Sequence, residues 1–370
     1  MRVLIVSAPL IGHVFPLVPL ALALRSSGHE VLVATGGEAM AVRDAGLAAE
    51  DVAPGFRMGP VAARTLLRHP LAARAELAGT AGTRVVGPLF AGINDRMMDA
   101  VASLAASWRP ELVVYEPLAV AGGYAAAAAG VPAVLHENAL YDGPTLVAVT
   151  APRMRRARTT TLPPDTAAIT IVPPSVVPGR VGWPMRAVAY GGDAALPDGL
   201  AVPAGRPRVA VTRSTVGGPG EGRLMSTVAA AAGRVDAEFV LIRPDERVVA
   251  ARLPANVSTV GWVSVPALLP TCAAIVHHGG AGTALAALGA GVPQLIVNGL
   301  GDRRHNAGLV AARGAGIAVD ERDVTAAALT RLVTDPTLVA NATEVRDEMA
   351  AMPAPADLVP RLEAVGLPAR

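Results

Sequence analysis

IVHHGGAGTALAALGAGVPQL, residues 275–295, is the stretch whose reading decides the fold. A short apolar run ends in His277-His278 and a glycine-rich turn, and an alanine-rich helical segment follows. A strand that enters a helix through glycines aims the N–H groups of the helix start at one spot, with an imidazole beside them. An anion binds well there. Gly280 and Gly282 allow close approach of backbone to ligand, Ala281 lies between them, and Thr283 adds a hydroxyl donor. The pattern reads as a cradle for a diphosphate. It is not a P-loop, because no GK[ST] occurs and the chain contains no lysine. Nor is it the dinucleotide GxGxxG, because a histidine pair precedes the glycines.

Strand-like and helix-like runs alternate on both sides of this stretch. Arg2–Ser7, Glu30–Ala34, Leu112–Tyr115 and Ala133–His136 predict buried strands in the first half. Helices are predicted over Pro16–Ser27, about 60–79 with an interruption at Pro70, 82–107 and Ala119–Ala129. Residues 183–208 are rich in Pro and Gly without periodicity, and the alternation then restarts. Strands follow at Val209–Thr212, Glu238–Ile242, Ser258–Gly261, Ala274–His277, Gln294–Val297 and Ile317–Val319. The helices expected between them are Arg223–Ala232, Pro266–Leu269, Thr283–Ala290 and Ala307–Arg313, with more from Thr325. Such alternation is the signature of doubly wound parallel sheets, hence an α/β fold of two Rossmann-like domains. The expected organisation is a first domain over 1–185, a linker over 186–208, a second domain over 209–352 and a tail helix over 353–370 returning to the first. Ligands of such sheets bind outside the carboxyl ends of the strands, so both halves are expected to present loops to one central cleft.

Composition removes several function classes. The 370 residues suffice for two substantial cores, 52% are apolar and only 3% aromatic. The net charge is +2 with the charges scattered, so the basic stripe of a nucleic-acid binder is missing. One cysteine, Cys272, leaves no internal disulfide or cysteine-cluster metal site and fits a reducing cytoplasm. Pro9, Gly12, His13 and Pro16 break the first apolar run too early for a secretory signal. The apolar Leu118–Leu135 holds three glycines and a proline, which argues for a buried helix and strand rather than a membrane span.

SAPLIGHVFPLVPLALALRSSGHEV (7–31), GWVSVPALLPTCAAIVHHGGAGTALAALGAGVPQL (261–295) and Gly301-Asp302 together resemble a nucleotide-sugar glycosyltransferase of the GT-B fold. Within that fold they are similar to the family-1 enzymes that decorate actinobacterial antibiotics, such as the calicheamicin and urdamycin glycosyltransferases. PPSVV (173–177), YGG (190–192) and EMAAMPAPADLV (348–359) extend the likeness over nearly the whole chain. It is weakest over roughly 55–100 and 139–165, where such enzymes form the acceptor pocket.

The resemblance implies roles residue by residue. His13, after Gly12 in the loop behind the first strand, stands where the family has its general base. An imidazole titrating near neutrality can take a hydroxyl proton. Glu116 stands where an acidic partner, often aspartate, holds that histidine; being longer, it leaves the contact open. Trp262 and Val263 match the segment that stacks on the donor's base, and His278 the residue that contacts its α-phosphate. Arg213, Ser214 and Thr215 form the other loop expected at the diphosphate. Asp302 matches the acid that binds sugar hydroxyls, while Arg303 replaces the usual Gln and leaves the sugar open. The family's plant members carry a ribose-binding carboxylate where this chain has Ala286, which favours a deoxyribose donor, a dTDP-sugar. Phe15, Phe56, Met58, Phe90 and Tyr141 are candidates for the acceptor wall or for ordinary core.

No DxD occurs, so no metal and no cofactor beyond the nucleotide-sugar co-substrate is expected. The expected function is transfer of a deoxysugar, with inversion, from a dTDP-sugar to a hydrophobic natural product. The expected enzyme is cytoplasmic, without nucleic-acid partner or membrane span, and a homodimer is compatible with the sequence. C-glycosylation of an aromatic acceptor and a silent donor-binding auxiliary protein stay open at this point.

Overall fold

Short runs of Val, Ile, Leu and Ala that are buried on both faces become parallel strands, because helices cover each side of such a sheet. The computed structural model describes residues 1–77, 80–155, 159–192, 195–202, 205–214 and 223–366. They divide into two units, one of Met1–Val172, Gly179–Arg186 and Met352–Arg370, the other of Pro173–Pro178 and Ala187–Ala351.

The first unit is built on β1 (Arg2–Val6), β2 (Glu30–Thr35), β3 (Ala48–Asp51), β4 (Leu112–Tyr115), β5 (Ala133–His136), β6 (Ala167–Thr170) and β7 (Trp183–Pro184). All pair in parallel in the order β3-β2-β1-β4-β5-β6-β7. The second contains β8 (Arg208–Val211), β9 (Glu238–Ile242), β10 (Val257–Val260), β11 (Ala274–His277), β12 (Gln294–Val297) and β13 (Gly316–Val319), again parallel, in the order β10-β9-β8-β11-β12-β13. In each sheet the winding reverses between the first and fourth strands. The loops leaving β1 and β4, and those leaving β8 and β11, therefore diverge and open a crevice at the carboxyl ends of the strands.

The cores follow from the same runs. Tyr115, Met97, Ile93 and Leu135 are fully buried in the first unit, and Phe239, Leu241, Val276 and Leu295 in the second. The stretch Leu118–Leu135 is a buried helix, Ala121–Ala129, followed by β5. A Cβ at Gly122 would lie 2.6 Å from Tyr115 Cβ and 2.9 Å from Val6 Cβ, so only glycine lets that helix lie so close to the sheet. Among the described residues no helix is long and apolar enough to cross a membrane.

The differences from the sequence expectation have physical reasons. β3 is AAED with one buried residue, an edge strand carrying no apolar run, and the alternation does not announce it. β6, β7 and the helix Gly143–Thr150 are likewise additions to the expected elements. The expected tail helix is shorter, a 3-10 turn at Pro355–Leu358 and a helix at Val359–Gly366. Pro173–Pro178 belongs to the second unit, where Glu348 accepts from the Ser175 amide at 2.9 Å and Arg313 Nε donates to Ser175 Oγ at 3.0 Å. The Pro/Gly-rich segment before β8 is not slack throughout. Buried Arg208 donates to the carbonyls of Gly199, Leu200 and Val202 at 2.8–3.1 Å and to Thr271 Oγ1 at 2.9 Å, which fixes the 3-10 turn Asp198–Leu200.

Candidate active site

In the first unit the crevice between β1 and β4 brings His13 to Glu116. β1 runs into a short helical turn, Ile11–Val14, which carries Gly12 and His13, and β4 delivers Glu116 directly beyond its last residue. Glu116 is fully buried rather than a strand-end carboxylate facing water. Its Oε1 accepts from the Ala8 amide at 3.0 Å and lies 3.2 Å from His13 Nδ1. Its Oε2 accepts from the Leu118 amide at 2.8 Å and from Asn138 Nδ2 at 3.1 Å. A carboxylate tied down at both oxygens presents a fixed acceptor to the imidazole. That selects the ring form with its proton on Nδ1 and its lone pair on Nε2. The His13 side chain is 21% exposed, so the ring is not sealed off. Phe90, from the helix Val86–Trp108, lies 5.3 Å from the His13 ring centre to centre.

In the second unit the corresponding crevice lies between β8 and β11. Gly280 is the N-cap of the helix Ala281–Ala290, with no side chain capping it. The amides of Ala281, Gly282 and Thr283 are therefore the unsatisfied first-turn donors of that helix. Gly282 is exposed, whereas the helix behind it, Ala284–Leu288, is buried. His277 ends β11 and is a strut: its Nδ1 accepts from the Gly279 amide at 3.1 Å while Nε2 donates to Gln294 Oε1 at 2.9 Å. Burial pushes its pKa down to about 4, so it holds the turn as a neutral ring. His278 is half-buried, and its Nδ1 is buried without a hydrogen-bond partner. Burial first, then the Arg303 guanidinium and His277, hold it well below the usual imidazole range.

Arg303 opens the helix Arg303–Ala312 behind Asp302, and its Nη2 donates to Ser214 Oγ at 3.1 Å. It thus joins the loop after β8 to the turn after β11. Arg213 Nε is buried and unpaired on the same loop. Asp302 accepts from Asn306 Nδ2 at 2.8 Å, and that nitrogen also donates to the Gly279 carbonyl at 2.8 Å. Asn306 therefore fixes Asp302 and the glycine turn to each other. The arrangement is electropositive, made of two arginines and a helix start. The positive charge comes from Arg303 and Arg213, and the neutral His278 ring offers hydrogen bonding.

Two family models cover this chain. Residues 22–214 match the N-terminal domain and residues 226–365 the C-terminal domain of the erythromycin biosynthesis protein CIII-like family. The chain belongs to that family of antibiotic glycosyltransferases. It is 39% identical to the elloramycin glycosyltransferase ElmGT of Streptomyces olivaceus, over 100% of this chain and 98% of the relative. The solved glycosyltransferase SnogD of Streptomyces nogalater superposes with a TM-score of 0.81 at 38% identity, covering 98% of this chain and 99% of that one. SsfS6 of Streptomyces sp. SF2575, solved with thymidine diphosphate, gives 0.82 at 30% identity, with coverage of 98% and 99%. The fold is GT-B, and the protein is a glycosyltransferase.

The remaining expectations sort unevenly in this glycosyltransferase. Trp262 is 51% exposed, with the Arg243 guanidinium 4.9 Å above its ring, so it is a surface aromatic able to stack. Val263 is 5% exposed and packs in the same apolar cluster as Ala286, which leaves only its backbone for a base edge. Thr215 lies outside the described residues. Of the acceptor-wall candidates, Phe56 and Phe90 are buried in the first unit's core, Met58 and Tyr141 pack against that core, and Phe15 is half-buried outside it.

Sequence reasoning missed three asparagines that hold the site together. Asn138 touches Glu116, and Asn306 ties Asp302 to the glycine turn. Asn94 donates to the carbonyls of Phe90 and Leu118 at 2.8 Å and accepts from the Ala121 amide at 2.8 Å, which pins the loop after β4. Its helical spacing from Phe90, Ala91, Met97 and Met98, which puts an asparagine on an apolar face, was the signal available for Asn94, and the four-residue spacing from Asp302 the signal for Asn306.

Proposed function

We propose that this enzyme transfers a deoxysugar from a dTDP-sugar to a hydroxyl of a hydrophobic natural product, with inversion at the anomeric carbon. The observation that carries the reading is the wholly buried Glu116 carboxylate 3.2 Å from His13 Nδ1. It makes Nε2 of a neutral imidazole the group that accepts the acceptor's hydroxyl proton. The alkoxide-like oxygen attacks the anomeric carbon as the bond to the β-phosphate oxygen breaks, and the nucleoside diphosphate leaves with that electron pair. The first-turn amides of the helix Ala281–Ala290, with Arg303 and His278, receive the charge that develops on it. No metal is invoked, because donors and cations already converge on the anion site. A single displacement inverts the configuration.

The dTDP preference is supported by Ala286, which lies in the same apolar cluster as Val263 and offers no carboxylate to a 2′-hydroxyl, and by SsfS6, which was solved with thymidine diphosphate. Asp302 is read as the acceptor of sugar hydroxyl hydrogen bonds. Phe15, Phe90 and Tyr141 are read as acceptor contacts, with Phe56 and Met58 supporting them from the core.

The test is sugar-nucleotide turnover by the purified protein with and without His13→Ala, beside thermal shifts with dTDP and UDP. Loss of turnover by about a hundredfold or more in the variant is expected, together with a larger melting shift for dTDP than for UDP. Undiminished turnover in His13→Ala removes the base, and the reverse order of shifts removes the dTDP preference.

A further inference from the structure

The loop after β5 places an amide where His13 and Glu116 meet. Asn138 is 5% exposed, and its Nδ2 lies 3.1 Å from Glu116 Oε2, 3.4 Å from His13 Nδ1 and 3.5 Å from the His13 carbonyl. The loop is held from both sides. Glu137 Oε1 accepts from Arg180 Nη1 at 2.6 Å and from the Gly143 amide at 2.9 Å, while Arg180 also donates to the carbonyls of Leu140 at 2.8 Å and Tyr141 at 2.9 Å. The position of Asn138 is fixed by a buried ion pair on its own turn, so its approach to the dyad is built in.

An amide nitrogen donates and never accepts. With the ring proton on Nδ1, the 3.4 Å approach sets donor against donor, and the two Nδ2 hydrogens go to Glu116 Oε2 and the His13 carbonyl. With the ring proton on Nε2, Nδ1 would accept from Asn138 instead, and Glu116 Oε1 would lose its imidazole donor. The bond to a carboxylate is the stronger of the two, so the first arrangement prevails. It prevails although Asn138 faces the ring nitrogen, because the amides of Ala8 and Leu118 together with Asn138 Nδ2 hold Glu116 with Oε1 toward the ring.

We propose that Asn138 is a positioning residue for the base: it holds Glu116 Oε2 and the His13 carbonyl in place and, being neutral, sets the pH range in which that ring is uncharged. The proposal rests on the reading of His13 as the base. A carboxylate at 138 would put a second negative charge about as close to the ring as Glu116, and an ion pair at that distance favours the imidazolium. A charged ring cannot take a proton.

Other charged groups lie around the dyad. His136 ends β5 next to Glu116, and Glu137 and Arg180 pair one residue along. The turn Gly37–Ala45, packed on the His13 helix, carries Glu38, Arg43 and Asp44, with Arg43 donating to the Ala49 carbonyl. All of these are common to every position-138 variant, so differences between variants isolate position 138.

The experiment is a titration of the full chain with ¹⁵N-labelled histidine, the His13 signals assigned by their loss in His13→Gln. The wild-type neutral ring is expected to be protonated on Nδ1. Asn138→Asp should raise the His13 midpoint by about one unit or more, and the acidic limb of kcat/KM for transfer should move up with it. Asn138→Ala should keep the Nδ1 form, since Glu116 Oε1 still takes that proton, and should raise the midpoint by a smaller amount, because Glu116 loses a donor that shares its charge. Asn138→Ser, which restores a short donor, should bring the midpoint part of the way back. An Asp variant whose midpoint coincides with the wild type overturns the proposal; if that variant does not fold, an Ala variant with unchanged midpoint does so. The two readings fail separately. Transfer retained by His13→Ala removes the base while leaving a midpoint shift in Asn138→Asp intact. Transfer lost there with no shift in Asn138→Asp removes only the role of Asn138.

Discussion

The loops after β1 and β4 and the loops after β8 and β11 hold the same address in the same strand order, and their histidines live in opposite surroundings. His13 is partly exposed and backed by the buried carboxylate of Glu116. His278 is half-buried too, but its buried Nδ1 lacks a partner and the Arg303 charge lies beside it. A base needs an anion behind it to welcome the proton. An anion site needs donors and cations, and a histidine there does best neutral. Topology chooses where a loop can meet a ligand, and the nearest charges choose what it does.

The most severe way to break this contrast is to remove the anion from the first crevice. Glu116→Ala should lower transfer about a thousandfold while leaving the melting shift caused by dTDP in place. Transfer near the wild-type rate would mean that the carboxylate is only architecture. Acid should come next in size. Burial lowers both His136 and His277 from 6.5 to about 4, so each is neutral when folded and gains its proton on unfolding as the pH drops. Their contribution is complete above about pH 6.5 and is lost as the pH falls toward 4. At pH 5 the loss is about 2 kcal/mol for each. Urea unfolding at pH 7 and pH 5 measures it, and His277→Gln should flatten the dependence.

The strands and their parallel sheets were legible because buried parallel strands are short apolar runs between helices; β4, β5, β9, β11 and β12 match the expected ranges. The edge strand β3 was not, since AAED carries no hydrophobic run. Within the site, the 275–295 turn could be read from its own residues, and His13 only through the resemblance. The contact of Glu116 with His13 could not, because a side chain's reach depends on how β1 and β4 pair. Asn138 was silent for a deeper reason. Its importance comes from the buried pairing of Glu137 with Arg180, 43 positions apart in sequence, and no local pattern encodes that distance.

The second crevice can be tested by filling it. Gly280 has ordinary extended backbone angles, φ −63° and ψ 136°, so alanine would be tolerated by the chain itself. Its Cβ would lie 2.6 Å from His278 Nε2, however, and the ring would have to move. Gly280→Ala should weaken dTDP binding by about 30-fold, or ~2 kcal/mol, with little effect on thermal stability in the absence of nucleotide. Calorimetric titration reads the affinity, and unchanged binding would place the diphosphate elsewhere.

Arg303→Gln is the finest probe, because it restores the residue usual in the family and alters one charge. If Arg303 serves the diphosphate, the variant should bind dTDP about tenfold more weakly at low ionic strength, the value of one charge-assisted hydrogen bond, ~1.4 kcal/mol. The deficit should shrink as salt rises toward 1 M, since screening removes the advantage of a cation before that of a neutral donor. His278 supplies a second reading of the same change. The Arg303 charge is one cause of its lowered pKa, so its titration should move upward in the variant, whereas His13 should not respond. A variant that binds dTDP equally well at low salt, but loses discrimination among donor sugars, would move Arg303 from the phosphates to the sugar. The contrast between the two crevices would then rest on the helix start and Arg213 alone.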